Sequence, residues 1–265
     1  MKVTREQCNS TFGKLHYAPK SLSRSPPLLY SVPGSGNTWS RLLMEYATGI
    51  YSGSVYAESP ASPTYHGTYN CHKQVSVIKA HPNMNHAEEL LSGSFHSDKD
   101  TCKVGNFHNF GKAILIVRNP YDCIWSEYQR EKGHSKISGI PRSSFNTNKW
   151  IESAISDAHM FRNALSIHFE YVQTHLGPSK VMVVRYEDLL NPDLQLGILQ
   201  KMVTFSDFPE ASETQLQCAS LLSVSPKALR KIDSDMVTKE EVYLSLIHIS
   251  EPTRRTPISY AVFCL

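Results

Sequence analysis

The sequence predicts an α/β fold: a central parallel sheet between two layers of helices, in a three-layer α/β/α arrangement. Three observations predict it. Four short apolar runs, Pro27–Val32, Val75–Lys79, Ala113–Val117 and Val181–Val184, have the length and composition of buried strands. Segments with apolar residues at helical spacing alternate with them, and that alternation implies parallel strands joined by crossover helices. The chain also has 265 residues, 40% hydrophobic and 19% charged, enough to bury such a core.

The elements follow in order. Residues 1–27 are polar, end in Ser25-Pro26-Pro27 and read as an N-terminal arm or linker. Pro27–Val32 reads as a strand running into a turn at Pro33-Gly34. Thr38–Thr48 reads as a helix with Trp39, Leu42, Leu43, Tyr46 and Ala47 on its repeat. Residues 51–72 are rich in Ser, Tyr, Pro and Gly and read as loop. Val75–Lys79 is a second strand, and residues 83–109 open as a short helix and become a polar loop. Ala113–Val117 is a third strand, Tyr121–Glu131 a helix, and residues 133–148 a loop of Gly, Ser, Pro and Asn. Trp150–Leu176 reads as a long amphipathic helix stopped by Gly177-Pro178. Val181–Val184 is a fourth strand, followed by Arg185-Tyr186-Glu187-Asp188-Leu189. Residues 193–205 and 211–221 read as helices, and no internal repeat is visible.

Composition removes some classes. The net charge is only +3 and no basic block stands out, so no nucleic-acid partner is expected. No run reaches the roughly 20 apolar residues of a membrane span. The N-terminus has no apolar core of a signal peptide. Either the protein is cytoplasmic or the piece that addressed it to a membrane is missing. Five cysteines remain once Cys264 is set aside with the tail described below: Cys8, Cys71, Cys102, Cys123 and Cys218. They form no Cys-x-x-Cys pair, so no structural zinc site is expected. Cys71 and Cys102 flank a strand in loop-like segments and are candidates for a disulfide. Cys123 reads as a small core residue. Asn9-Ser10-Thr11 is a glycosylation acceptor, which matters only in a secretory lumen.

Three motifs carry chemistry. The first is the strand–loop–helix containing Ser31-Val-Pro-Gly-Ser-Gly-Asn-Thr-Trp39. Gly34, Ser35 and Gly36 let the backbone turn sharply and point successive N–H groups inward. The helix start near Thr38 adds its positive end, making an anion nest. Ser35, Asn37 and Thr38 can add side-chain hydrogen bonds. No lysine follows the glycines and no magnesium-binding hydroxyl-plus-Asp pair is evident, which disfavours a magnesium-dependent NTPase. A plain tight turn is the alternative. The second motif is Arg118 at the end of the third strand with Ser126 on the next helix, a guanidinium fork and a hydroxyl placed to share one anion. A helix-capping arginine and an ordinary serine are its alternative. The third is Val77-Ile78-Lys79-Ala80-His81 at the end of the second strand. His86, His96 and His108 lie nearby in sequence, but their spacings fit no metal motif.

The pattern Ser-x-Pro-x-Ser-Gly-Asn-Thr-Trp resembles the 5′-phosphosulfate loop of the sulfotransferase family. Arg118 with Ser126 is similar in spacing to that family's 3′-phosphate pair. Within the family, PGSGNTW, the following ATGIYSGSVY and the later RNPY resemble the sulfotransferase domain of WSC-domain-containing proteins. Those are Golgi membrane enzymes implicated in sulfating sialylated glycans. The resemblance covers roughly residues 28–222, and the sequence contains no WSC domain.

The resemblance implies a P-loop-NTPase-like sulfotransferase fold and 3′-phosphoadenosine 5′-phosphosulfate (PAPS) as co-substrate, with no metal. It implies a hydroxyl-bearing acceptor, a glycan, and a lumenal Golgi location with a membrane anchor that this chain does not contain. It places Ser35, Gly36, Asn37, Thr38, Trp39, Arg118 and Ser126 on the donor. Cytosolic members end their second strand in Lys-Thr-His, which matches Lys79 and His81. By that match His81 is the general base, suited by an unperturbed pKa of about 6.5. Lys79 neutralises charge on the transferring group. A basic stretch, Lys227, Arg230 and Lys231, stands near the family's C-terminal basic loop but matches it poorly, and a solvated basic face is its simpler reading. One departure stands out: many relatives carry Lys or Arg immediately before Ser-Gly, and this chain has Gly34. The rival functions are a nucleotide or small-molecule kinase and an inactive donor-binding module.

The C-terminal tail is set apart. Leu244–Arg254 and Ile258–Leu265 resemble the two ends of a translated sequencing adapter, with residues 255–257 where a variable index would fall. The expected organisation is an arm at 1–27, a sulfotransferase domain at 28–243 truncated at its C-terminus, and a non-native tail at 244–265.

Overall fold

The structure is a computed structural model that describes residues 3–22, 24–56, 73–81, 110–132, 152, 154–159, 161–162 and 176–224. The chain divides into two compact units. The first is Met1–Asn119 with Ala164–Val224, and the second is Pro120–Asn163 with Ser225–Leu265.

The first unit holds the sheet. Its strands are β1 (Leu28–Tyr30), β2 (Gly53–Ser54), β3 (Ile78–Ala80), β4 (Ala113–Val117) and β5 (Val181–Arg185), in the order β2-β3-β1-β4-β5. Every pairing is parallel. The α/β class and the parallel sheet expected from the sequence are the observed ones. β1 is central and short because Pro27 and Pro33 bracket it, and proline cannot donate to a ladder. Leu28 pairs with Ile78 on one side and Ala113 on the other.

Alternate residues of these strands feed two cores. Leu29, Ile114, Ile116 and Val184 share one face with Leu43, Met44 and Ala47 of helix α2 (Asn37–Thr48). The same cluster takes in Leu199, Met202 and Val203 of α5 (Pro192–Phe205) and Leu216 and Ala219 of α6 (Glu213–Ser223). Leu28, Tyr30, Ile78, Ala113 and Leu115 turn to the other face, where Val55, Val75 and Phe110 pack. Leu28 and Leu29 are fully buried. Each such side chain contributes roughly 1.5–3 kcal/mol, so a three-residue strand still anchors the unit.

Two departures from the sequence reading have clear causes. Gly53–Ser54 lies in a stretch read as loop, yet it forms an edge strand. Ladder bonds impose it: the Gly53 amide donates to the Val77 carbonyl and the Val55 amide to the Lys79 carbonyl. Neither residue favours strands on its own. Residues 1–27 contain helix α1 (Arg5–Phe12), begun by a capping box between Thr4 and Gln7. Arg5 donates to the carbonyls of Leu221 and Val224, and Cys8 is disulfide-bonded to Cys218. Further along, the buried Arg24 donates to the carbonyls of Val75, Ser76 and Ser206 and stacks 3.9 Å from the Phe208 ring centroid. Burial lowers its pKa to about 10, with Asp207 opposing. The segment reads as an arm because α1 buries a single residue, Cys8, and its other faces are polar.

The disulfide suggested by the sequence, Cys71 with Cys102, lies outside the described residues. So do the expected elements at 83–109 and 133–148, the basic stretch Lys227, Arg230 and Lys231, and the tail at 244–265. In the second unit, α3 (Pro120–Lys132) buries Cys123, Ile124 and Tyr128, and Arg130 forms a two-bond pair with Glu127. Residues 154–159 and 161–162 are helical, within the predicted long helix. Among the described residues no helix is long and apolar enough to cross a membrane.

Candidate active site

In an open parallel sheet, ligands bind beyond the carboxyl ends of the strands, where neighbouring strands lead away in opposite directions. β1 sits at that switch: its neighbours are β3 and β4, and the chain crosses over β1 between them. The segments leaving the strand ends carry Ser31 to Asn37 after β1, Tyr56 after β2, His81 after β3, Arg118 after β4 and Tyr186 after β5.

The loop after β1 needs its glycines. Gly34 and Gly36 have φ of 80° and 86°, the left-handed region that side chains disfavour. A Cβ on Gly36 would lie 2.1 Å from Cε2 of Tyr186, so the ring closes directly over the glycine. Asn37 locks the loop from beneath. Its Nδ2 donates to the Leu29 carbonyl at 3.0 Å and to Ser31 Oγ at 3.1 Å. The amide nitrogen of Asn37 therefore turns into the fold rather than toward a ligand. α1, α5 and α6 each have a side-chain cap and an acidic first turn. α2 begins at Gly36 with neither, so no side-chain cap takes its first-turn N–H groups. These features fit the phosphate end of a sulfonucleotide.

Arg118 reaches the loop at position 34. Its Nη1 donates to the Gly34 carbonyl at 2.7 Å, and its guanidinium lies 4.5 Å from the Tyr186 ring centroid. Tyr186 opens helix α4 (Tyr186–Leu190), and its ring meets Trp39 edge-on at 5.7 Å. Trp39 donates its indole N–H to Ser223 Oγ at 3.0 Å, so this group also serves packing. Ser35 is buried, and Thr38 is exposed at the first turn of α2. Ser126 is half-buried in α3, in the second unit.

On the other side of β1, His81 Nδ1 lies 2.7 Å from the Ser31 carbonyl oxygen. A carbonyl only accepts, so Nδ1 carries the proton and Nε2 is the acceptor of the neutral ring. Tyr56 holds the same residue by its backbone. The Tyr56 hydroxyl accepts from the His81 amide at 2.8 Å and donates to the His81 carbonyl at 3.0 Å. The two rings stack at 5.8 Å and 20°, and Lys79 Nζ lies 5.9 Å from the Tyr56 ring centroid. Tyr30, buried beneath, keeps its proton: desolvation, then Tyr56, raises its pKa well above 10.0.

β2 is fixed in turn by a buried polar chain. Arg41 Nε donates to Ser52 Oγ at 2.9 Å. The Ser52 amide and hydroxyl donate to Glu45 Oε1 at 2.8 and 2.5 Å. Arg41 and Glu45 are both fully buried on α2, so one helix positions the glycine loop and the strand that leads to Tyr56.

The structure thus brings Gly36 and Trp39 together with Arg118, and Lys79 together with His81. Ser31 joins the two groups. Sequence reasoning missed Tyr56 and Tyr186. For Tyr186 the one signal was position, directly after the fourth strand; Tyr56 lies in a stretch read as loop, where no signal marked it.

Residues 25–240 match the family model of the sulfotransferase domain. A WSCD family member of Drosophila pseudoobscura pseudoobscura is 31% identical over 205 residues, covering 76% of this chain and 57% of the relative. WSCD family members of Drosophila melanogaster and Aedes aegypti are each 29% identical, over 72% and 75% of this chain and 53% and 55% of their own lengths. The chain thus spans little more than half the length of these relatives. Among solved structures, mouse sulfotransferase SULT7A1 complexed with PAP superimposes with a TM-score of 0.43 at 13% identity, covering 90% of this chain and 79% of that one. With the family match running through β1, its loop and all five strands, the chain belongs to the sulfotransferase domain family and resembles the WSCD proteins.

Proposed function

We propose that this domain transfers a sulfuryl group from PAPS to a hydroxyl of a glycan acceptor, in a membrane-anchored protein facing the Golgi lumen. The observation that carries the reading is the joint at Ser31. The residue that opens the uncapped anion loop also fixes the tautomer of His81, leaving Nε2 as the ring's acceptor.

The donor supplies an activated sulfuryl group on a phosphate leaving group. The acceptor oxygen bonds to sulfur as the sulfur–oxygen bond to the phosphate breaks. His81 Nε2 takes the acceptor's proton, and Lys79 neutralises charge on the transferring group. The backbone of Ser35, Gly36, Asn37 and Thr38 receives the 5′-phosphosulfate, with Trp39 packed behind it. Arg118 receives the 3′-phosphate. Positioning and fixed charge carry the catalysis, as in phosphoryl transfer, and no metal enters this reading. The glycan and the Golgi location rest on the WSCD resemblance. The Cys8–Cys218 disulfide supports an oxidising lumen.

Equilibrium binding tests the donor assignment. The 3′,5′-bisphosphate product of the donor should bind at least tenfold tighter than ADP, without magnesium. Equal affinity for ADP, or tight binding of ATP only with magnesium, would favour the kinase instead.

A further inference from the structure

Helix α1 carries features that the transfer chemistry does not use. Asn9-Ser10-Thr11 is the one Asn-x-Ser/Thr tripeptide in the sequence, and all three residues are exposed. The residue before it, Cys8, is buried and bonded to Cys218. Disulfides persist in secretory lumens and are rare where thiols are kept reduced. One helix therefore holds both a mark of that compartment and an acceptor that only that compartment can use. We infer that Asn9 carries an N-linked glycan, added before α1 folds.

The order of events follows from what holds α1 in place. Its long-range tethers include the disulfide to Cys218 and the Arg5 bonds to the Leu221 and Val224 carbonyls, at sequence separations of 210, 216 and 219. An isolated helix shorter than about 12–15 residues is marginal in water, and α1 has 8 residues. Until α6 has been synthesised, α1 lacks its disulfide partner and the carbonyls that hold Arg5, and the tripeptide remains an unfolded acceptor. In the modification, the Asn9 side-chain nitrogen bonds to C1 of an oligosaccharide carried on a lipid pyrophosphate. The C1–oxygen bond breaks, the lipid pyrophosphate leaves with the electron pair, and the amide proton passes to the transferring enzyme. Afterwards the Cys8 and Cys218 thiols give up two protons and two electrons to a lumenal protein disulfide, which becomes a dithiol. The exposed position of Asn9 lets α1 dock with the glycan facing solvent.

This inference does not rest on the transfer activity, so its test is independent. The 265-residue chain is made in animal cells behind a cleavable signal peptide. The peptide containing residue 9 is then analysed by mass spectrometry, with and without the amidase that releases N-glycans and converts the asparagine to aspartate. The expected result is a glycan on Asn9, absent in Asn9→Gln, in Thr11→Ala and in chain made without the signal peptide. Cys8→Ser should keep the glycan, because modification comes first. Unmodified Asn9 in lumenal molecules whose Cys8–Cys218 bond is intact would overturn the site. A glycan lost in Cys8→Ser would overturn the order.

Discussion

His81 Nδ1 and the Ser31 carbonyl oxygen lie 2.7 Å apart. Ser31 opens the loop proposed to hold the donor, and His81 is the proposed base, so one hydrogen bond sets the distance between two functions. His81→Ala removes the proton acceptor and leaves the loop's own bonds, through Asn37 and Arg118, in place. Turnover should fall by about 10²–10⁴, with donor affinity within a few-fold of the parent. Steady-state kinetics beside nucleotide binding checks both halves.

Gly36 is the point where the loop can least tolerate a side chain. Gly36→Ala places a Cβ 2.1 Å from the Tyr186 ring on a backbone with φ of 86°. The local cost is about 1–3 kcal/mol. Donor affinity should fall at least tenfold while far-ultraviolet circular dichroism still reports a folded sheet. Parent-level affinity would show that the glycine and the tyrosine do not shape the nest.

Tyr56→Phe separates the hydroxyl from the ring. The variant keeps the stack on His81 but loses both bonds to its backbone. Each neutral hydrogen bond is worth roughly 0.5–1.5 kcal/mol, so with two lost kcat should fall by about 5- to 150-fold with donor KM unchanged. Tyr56→Leu, which also loses the stack, should fall further. An equal change in donor KM would mean that Tyr56 acts on binding rather than on His81.

The Cys8–Cys218 bond closes most of the chain into one loop. Its loss should cost about 2–5 kcal/mol. Thermal melts should show a lower Tm in reductant for the parent, and no further effect of reductant on Cys8→Ser. A melt unchanged by reductant would mean that α1 is held by Arg5 and packing alone.

The sequence announced what local pattern can encode. Apolar runs between prolines or charges marked β1 and β4, and the Gly-Ser-Gly turn before an amphipathic helix marked the nest. It could not announce what long-range contact imposes. Gly53-Ser54 is a strand only because β3 lies beside it. α1 has one buried residue, and the partner of that residue is 210 positions away. Asn37 and Trp39 were legible as loop residues, but only the fold shows that their side-chain N–H groups point into packing. Gly34 looked like a missing charge. Only the fold shows that the Arg118 guanidinium, brought from another strand end, donates to its carbonyl.

The most direct test of the account is transfer itself. The protein is incubated with sulfur-labelled PAPS and a panel of hydroxyl-bearing glycans, without added metal, beside His81→Ala. The account predicts label on a glycan with the parent protein and its near-complete loss in the variant, with both proteins still binding the donor. Donor binding without transfer to any acceptor, or equal transfer by His81→Ala, would contradict it.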